Sequence, residues 1–159
     1  MHDSSLQSSA AVRINPAWNV AIIRSIWHGE CTQSLSDDAV QHLLSLGMSD
    51  RNILTLDAPG SFEIPLLCAE TIKHQHVEGI IAFGVIVQGE THHAEIIASE
   101  SARAIMDLQM QTGVPIIYEI LFVEHIDHAK ARSIGSGGKG KLAADTLLRS
   151  LAQVDKLRL

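Results

Sequence analysis

The segment Gly79-Ile80-Ile81-Ala82-Phe83-Gly84-Val85-Ile86-Val87 decides the fold. It is too short to span a bilayer and has no polar face, as an amphipathic surface helix would. A strand covered on both sides has this character, because neither of its alternating sets of side chains meets water. Strands of that kind belong to parallel sheets, whose crossover connections lay helices on both faces. The flanking sequence supplies such helices. Upstream, residues 62–73 place Phe62, Leu66, Ala69 and Ile72 at helical spacing, and downstream residues 94–111 predict a long helix stopped by Gly113.

Farther out the alternation continues. Residues 19–26 (NVAIIRSI) and 52–56 read as strands, the second closed by Ala58-Pro59-Gly60. Between them, residues 30–46 carry Leu35, Ala39, Leu43 and Leu46 on one helical face and end at Gly47. Residues 114–123, opening with Pro115, form a fourth strand, and residues 126–132 a short helix. The run 135–140 (GSGGKG) breaks the chain before a last helix over 141–151. Strictly alternating strands and helices predict an α/β layer built on a parallel sheet. A length of 159 residues fits one domain with a substantial core. The expected division is a polar, Ser-rich flexible tail over residues 1–17 and a single domain over 18–159.

Composition narrows the role. Hydrophobic residues make up 46%, which a disordered chain would not carry. A net charge of −6 opposes nonspecific nucleic-acid binding but leaves room for local anion sites. No apolar run is long enough for a membrane span, and the first residues lack the basic-then-apolar pattern of a secretion signal. Cys31 and Cys68 have no motif around them and read as reduced core thiols of a cytoplasmic protein.

In open parallel sheets ligands sit beyond the carboxyl ends of the strands. The unusual residues of this chain gather there. Trp27 stands at the first such end in a chain only 4% aromatic. It is either a stacking platform for a flat heterocycle, or a rim residue at a core edge or subunit contact. At the second end, Gly60 and Ser61 free backbone N–H groups near a helix start, where Glu63 suits the helix dipole. At the third, Gly89 permits close backbone approach, and Thr91 serves as a helix cap or a phosphate contact. His92 and His93 point in different directions on a helix and make a poor chelating pair. With His125 and His128 unplaced, no metal is expected, and one of the paired histidines fits a proton shuttle better. Arg132 precedes the glycine-rich break, as a phosphate ligand or a partner of the helix dipole. The break is not a phosphate-binding P-loop, because Gly140 rather than Ser or Thr follows Lys139.

Taken in order, Pro59-Gly60-Ser61-Phe62-Glu63-Ile64-Pro65, then Gly84-Val85-Ile86-Val87-Gln88-Gly89-Glu90-Thr91-His92-His93, with Gly138-Lys139-Gly140 in support, resemble the 6,7-dimethyl-8-ribityllumazine synthase family over residues 19–151. The resemblance implies a flavodoxin-like three-layer sandwich, a four-stranded parallel sheet flanked by helices on both faces. It implies a transferase of riboflavin biosynthesis with two small-molecule substrates and no cofactor. It also implies a homo-oligomer based on pentamers (pentamer, decamer or 60-mer), with each site shared between neighbouring subunits. Trp27 takes the position that stacks on the pyrimidine. Ser61, Phe62 and Glu63 match the segment holding the ribityl chain and pyrimidine. Val85, Ile86 and Val87 match the strand whose backbone reads the pyrimidine edge, and Tyr118 lies in the stretch a neighbour contributes. Gly89, Glu90 and Thr91 match the phosphate loop, with Arg132 as the phosphate arginine. His93, not His92, matches the catalytic histidine of Gly-Glu-Thr-x-His. The acidic residue that the family carries two places after the last glycine is Leu142 here, which leaves Glu95 and Asp145 as candidates for its task. A non-catalytic flavin or lumazine binder of the same fold is the alternative reading.

Overall fold

A computed structural model describes residues 12–158. The elements are β1 (Val20–Ser25), α1 (Gly29–Ser45), β2 (Ile53–Ala58), α2 (Ile64–Gln75), β3 (Gly79–Val87), α3 (His93–Thr112), β4 (Ile116–Val123), α4 (Ile126–Ser133) and α5 (Gly140–Arg158). The four strands form one parallel sheet in the order β2-β1-β3-β4. The chain reverses its direction of winding between β1 and β3, and so lays helices on both faces.

The two-residue alternation of the strands divides the core. Val20 and Ile22 of β1, Ile81, Phe83 and Val85 of β3 and Leu121 of β4 join Leu35, Leu43, Ala129, Leu147 and Leu151 from α1, α4 and α5. The intervening Ala21, Ile23, Ile80, Ala82, Ile86 and Ile120 join Ile64, Cys68 and Ile105 from α2 and α3. These two clusters are the inner surfaces of the three-layer sandwich, and β3 is buried on both sides as its composition requires.

Several boundaries shift from the sequence expectation for physical reasons. β2 runs two residues beyond Leu56 because Asp57 and Ala58 pair with Arg24 and Ser25. β4 begins at Ile116, since Pro115 has no N–H for a ladder; Ile116 N donates instead to Gln109 Oε1 at 2.8 Å. The helix expected from Phe62 opens as a tighter turn over Ser61–Glu63. Pro65 cannot donate to Ser61, so the α-helix starts at Ile64. α5 reaches Arg158 rather than Leu151, and its extra turns are tied down at Asp155, which accepts Trp18 Nε1 at 2.9 Å. Arg158 in turn donates to Gly113 O at 2.9 Å. Residues 1–11 of the expected tail lie outside the described residues, whereas Val12 and Ile14 pack against the first core cluster.

Candidate active site

The carboxyl end of the sheet is uneven, and that unevenness makes a crevice. β1 pairs with β3 only as far as Arg24 opposite Phe83. β3 continues through Val85, Ile86 and Val87, which pair with Leu121, Phe122 and Val123 of β4 on the other side. The main-chain groups of these three residues that face β1 are therefore outside the ladder. An open backbone edge needs partners, and here it lies at the point where strand order reverses, where α/β sheets take their ligands.

Trp27 lies two residues beyond the end of β1, the strand that flanks β3 on this side. The strand ends at Ser25 and not at Trp27, and the connecting turn is pinned. Ser25 Oγ donates to Trp27 O at 3.2 Å, and buried Thr32 Oγ1 donates to Ser25 O at 2.6 Å. His28 follows in the left-handed region, at φ 55°, and its carbonyl accepts from Cys31 N at 2.9 Å. The indole projects from this fixed backbone 70% exposed. Ser61, Phe62 and Glu63 form the tight turn that follows β2. Phe62 is exposed, while Ser61 is buried against Gly84, where an added Cβ would come 2.6 Å from Ser61 Oγ.

Three buried side-chain polar atoms lack a hydrogen-bond partner among the described residues, and all three are at this end of the sheet: Arg24 Nε, Ser61 Oγ and Gln88 Oε1. Arg24 Nε does lie 2.9 Å from Asp57 Oδ1, as an ion pair out of line for a hydrogen bond. Arg24 shares the face of Val20 and Ile22 and has its ion-pair partner, whereas Ser61 Oγ lies against Gly84 on the other face without one, and an unpartnered buried hydroxyl is a place where an additional polar group fits.

The next loop is organised by Gln88, whose backbone N–H donates to Val123 O at 2.8 Å. Its side-chain amide donates to Gly89 O at 3.1 Å and Thr91 O at 3.3 Å. Gly89, Glu90, Thr91, His92 and His93 are all exposed. The N-cap of α3 is His92 rather than Thr91; the Thr91 hydroxyl accepts only a long 3.4 Å contact from His93 N. His93 is the first residue of α3. Glu95 sits 3.1 Å from His92, not His93, and Asp145 is 2.7 Å from His42 on the far side of the molecule. Neither carboxylate offered by the sequence is engaged with His93.

Arg132, in the last turn of α4, donates to His128 O at 2.9 Å. With Lys139, His128 and the end of β4 it lines a cavity of about 280 Å³. The lining includes none of Trp27, Ser61, Phe62, Glu63, the residues 85–87 or the loop 89–93. Tyr118 is half-buried in mid-strand opposite Ala82, with its hydroxyl 3.3 Å from Ala98 O and 3.4 Å from Ser101 Oγ. Burial raises the pKa of that hydroxyl, and the Ser101 contact opposes the rise. Within one chain the candidate residues thus form two groups: the crevice with Trp27, Ser61–Glu63 and β3, and the cavity with Arg132. A larger cavity of about 600 Å³ opens at the opposite end of the sheet, between residues 12–16 and 46–52, away from both.

Sequence reading passed over Arg24 and Glu119, gave Gln88 no role of its own, and weighed His128 only as a metal ligand. Lys139 was visible between two glycines but without a role. It lies 3.7 Å from Glu119, a partner twenty residues away that no local motif announces. Among the described residues no three His, Cys, Asp or Glu side chains converge as a metal site, and the His125 and His128 rings stand edge to face at 5.6 Å.

The sequence profile of 6,7-dimethyl-8-ribityllumazine synthase matches residues 17–155. The chain is 33% identical to the 6,7-dimethyl-8-ribityllumazine synthase of Methylobacillus flagellatus, over 87% of this chain and 91% of that one. It is 30% identical to the enzyme of that name from Bordetella petrii, over 86% and 78% of the two chains. For the Xanthomonas euvesicatoria protein of the same name the identity is 37%, over 78% and 81%. The chain belongs to the 6,7-dimethyl-8-ribityllumazine synthase family.

Proposed function

We propose that this chain condenses 5-amino-6-(D-ribitylamino)uracil with 3,4-dihydroxy-2-butanone 4-phosphate to give 6,7-dimethyl-8-ribityllumazine. The observation that carries the reading beyond family membership is the open edge of Val85, Ile86 and Val87 beside the unpartnered Ser61 hydroxyl. Alternating N–H and C=O groups on that edge suit the amide-like edge of a pyrimidinedione. Trp27 stacks on the ring, and Ser61, Phe62 and Glu63 hold the ribityl chain.

The 5-amino nitrogen attacks the ketone carbon, and loss of water gives an imine. Loss of inorganic phosphate leaves an enol, which tautomerises to a ketone. The ribityl-bearing nitrogen closes the ring on that carbonyl, and a second water leaves. Each step moves protons, and His93 at the start of α3 is the group that takes and returns them. Gly89, Glu90 and Thr91 of one subunit and Arg132 of another grip the phosphate, whose departure they assist. Tyr118, on the open edge strand β4, belongs to the neighbour's share of the site. The substrate amine is already nucleophilic, so positioning does most of the work, about 7–11 kcal/mol in favourable cases.

The homo-oligomer built on five-membered rings and its cytoplasmic setting rest on the family resemblance; within one chain the Arg132 cavity borders Leu121, Phe122 and Val123, the partners of Val85, Ile86 and Val87. Exposed Phe62, Leu66, Ile96, Met106 and Met110 give the oligomer apolar surface to bury. The test is incubation of the purified protein with the two substrates and optical detection of lumazine. Product with release of phosphate supports the enzyme, and binding of pyrimidine without product supports the non-catalytic binder.

A further inference from the structure

Glu119 is a carboxylate in an unlikely setting. It lies in β4 opposite Phe83, so its side chain points to the face covered by α1, α4 and α5. Its same-face strand neighbours, Ile117 and Leu121, are apolar, and its side chain is only 18% exposed. Removing a carboxylate from water is costly unless a partner compensates. The partner is Lys139, with Nζ 3.7 Å from Glu119 Oε1. Lys139 borders the Arg132 cavity, and Glu119 does not. The lysine therefore touches a carboxylate on one side and the cavity on the other. Its main chain is fixed to the same place, because Lys139 N donates to Arg132 O at 3.0 Å.

We propose that Glu119 is a positioning residue, which by pairing with Lys139 holds the lysine ammonium at the cavity lined by Arg132 and so sets the affinity for the phosphate of the four-carbon substrate. The inference rests on the reading of that cavity as part of the phosphate site. A lysine head group is a point charge on a flexible stem, and an unpaired one samples many rotamers in solvent. Glu119 restricts it. The carboxylate also relieves the repulsion between two adjacent cations before the phosphate arrives.

Burial holds the Glu119 carboxyl above the usual carboxylate range, and Lys139 pulls it partly back. The pairing requires the ionised form, so it weakens as pH falls through that raised value. The charged neighbours are few. β3 carries no titratable side chain. α4 brings His128 and Arg132 to the cavity, and Glu124 lies at its rim. α5 carries Asp145, held by His42, and Arg149 farther along. Lys139 is the one whose charge acts on Glu119.

The test compares Glu119→Gln, Lys139→Gln and the double variant, each confirmed folded by circular dichroism and native mass. Glu119→Gln is expected to raise KM for the butanone phosphate about tenfold, with kcat and the pyrimidine KM within about twofold, as loss of a partly screened charged contact requires. The double variant should be no worse than Lys139→Gln alone, because the two residues act as one unit. In wild type, KM should climb on the acid side relative to Glu119→Gln; the substrate phosphate titrates identically in both, and the ratio removes it. A merely structural Glu119 would lower thermal stability instead. Because its raised pKa makes ionisation the costly state, Glu119→Gln should melt no lower than wild type at pH 7. An unchanged KM in Glu119→Gln, additive effects in the double variant, or a lowered melting temperature overturns the proposal. Arg132→Ala separates the two levels. If it too leaves KM for the butanone phosphate unchanged, the phosphate reading itself fails; if it raises KM while Glu119→Gln does not, only the role of Glu119 fails.

Discussion

Trp27 presents a large apolar ring to solvent from a backbone that Ser25 and Thr32 hold in place. Its packing contribution in the free chain is small, so Trp27→Ala should change stability by no more than about 0.5 kcal/mol. Loss of stacking on the pyrimidine should weaken binding by roughly 1–3 kcal/mol. Fluorescence titration beside a thermal melt checks this, and a variant that melts early but binds normally makes Trp27 a packing residue. His93→Ala should slow turnover by about 10²–10⁴-fold while both substrates still bind, since proton transfer is lost but positioning is kept. His92, already paired with Glu95, is the internal control, and His92→Ala should matter far less in the same steady-state assay. Burial pushes the Cys68 thiol up to about 12, so at neutral pH it should resist a thiol reagent until the protein unfolds. Rapid labelling of native Cys68 would contradict its place in the core. Ser61 and His93 could be nominated from sequence because each sits in a short contiguous motif, and Trp27 because it follows a strand in an aromatic-poor chain. Glu119 and Arg24 could not, because their meaning comes from partners across the sheet.

At the scale of elements, the site exists because β3 outruns β1. The apolar run that identifies β3 was readable to the residue, as was the alternation that fixes a parallel sheet. Its register was not, because pairing depends on where β1 stops, and sequence placed that stop one residue late. The last helix was read short for a related reason: its final turns are held by Trp18 and Gly113, contacts distant in sequence. Gly84 joins the two requirements. A Cβ there would meet Ser61 Oγ at 2.6 Å and Ile120 Cγ2 at 3.1 Å. Gly84→Ala should therefore cost about 1–3 kcal/mol of stability by overpacking, and should weaken pyrimidine binding by shifting Ser61. Gly29→Ala, whose Cβ meets nothing within 4 Å, is the control in both measurements. Equal behaviour of the two variants would show that the close approach of β2's following turn to β3 is not needed.

For the whole molecule, one chain holds the open β3 edge proposed for the pyrimidine and, beside it across β4, the cavity of Arg132 and Lys139 proposed for the phosphate. Apolar side chains on the α2–α3 layer and two sheet edges left open among the described residues offer the means to build a site between copies. Turnover should then fall in parallel with loss of the oligomer on dilution or mild denaturant, as followed by light scattering, and a fully active monomer would refute the shared site. No helix among the described residues is long and apolar enough to cross a membrane. The proposed condensation is tested by simultaneous detection of lumazine absorbance and inorganic phosphate after mixing the protein with 5-amino-6-(D-ribitylamino)uracil and 3,4-dihydroxy-2-butanone 4-phosphate. Both products should accumulate catalytically and in equal amounts, faster than in a protein-free mixture. Quenching of Trp27 fluorescence by the pyrimidine, with product forming no faster than without protein, would contradict the condensation and leave a binding protein on an enzyme's fold.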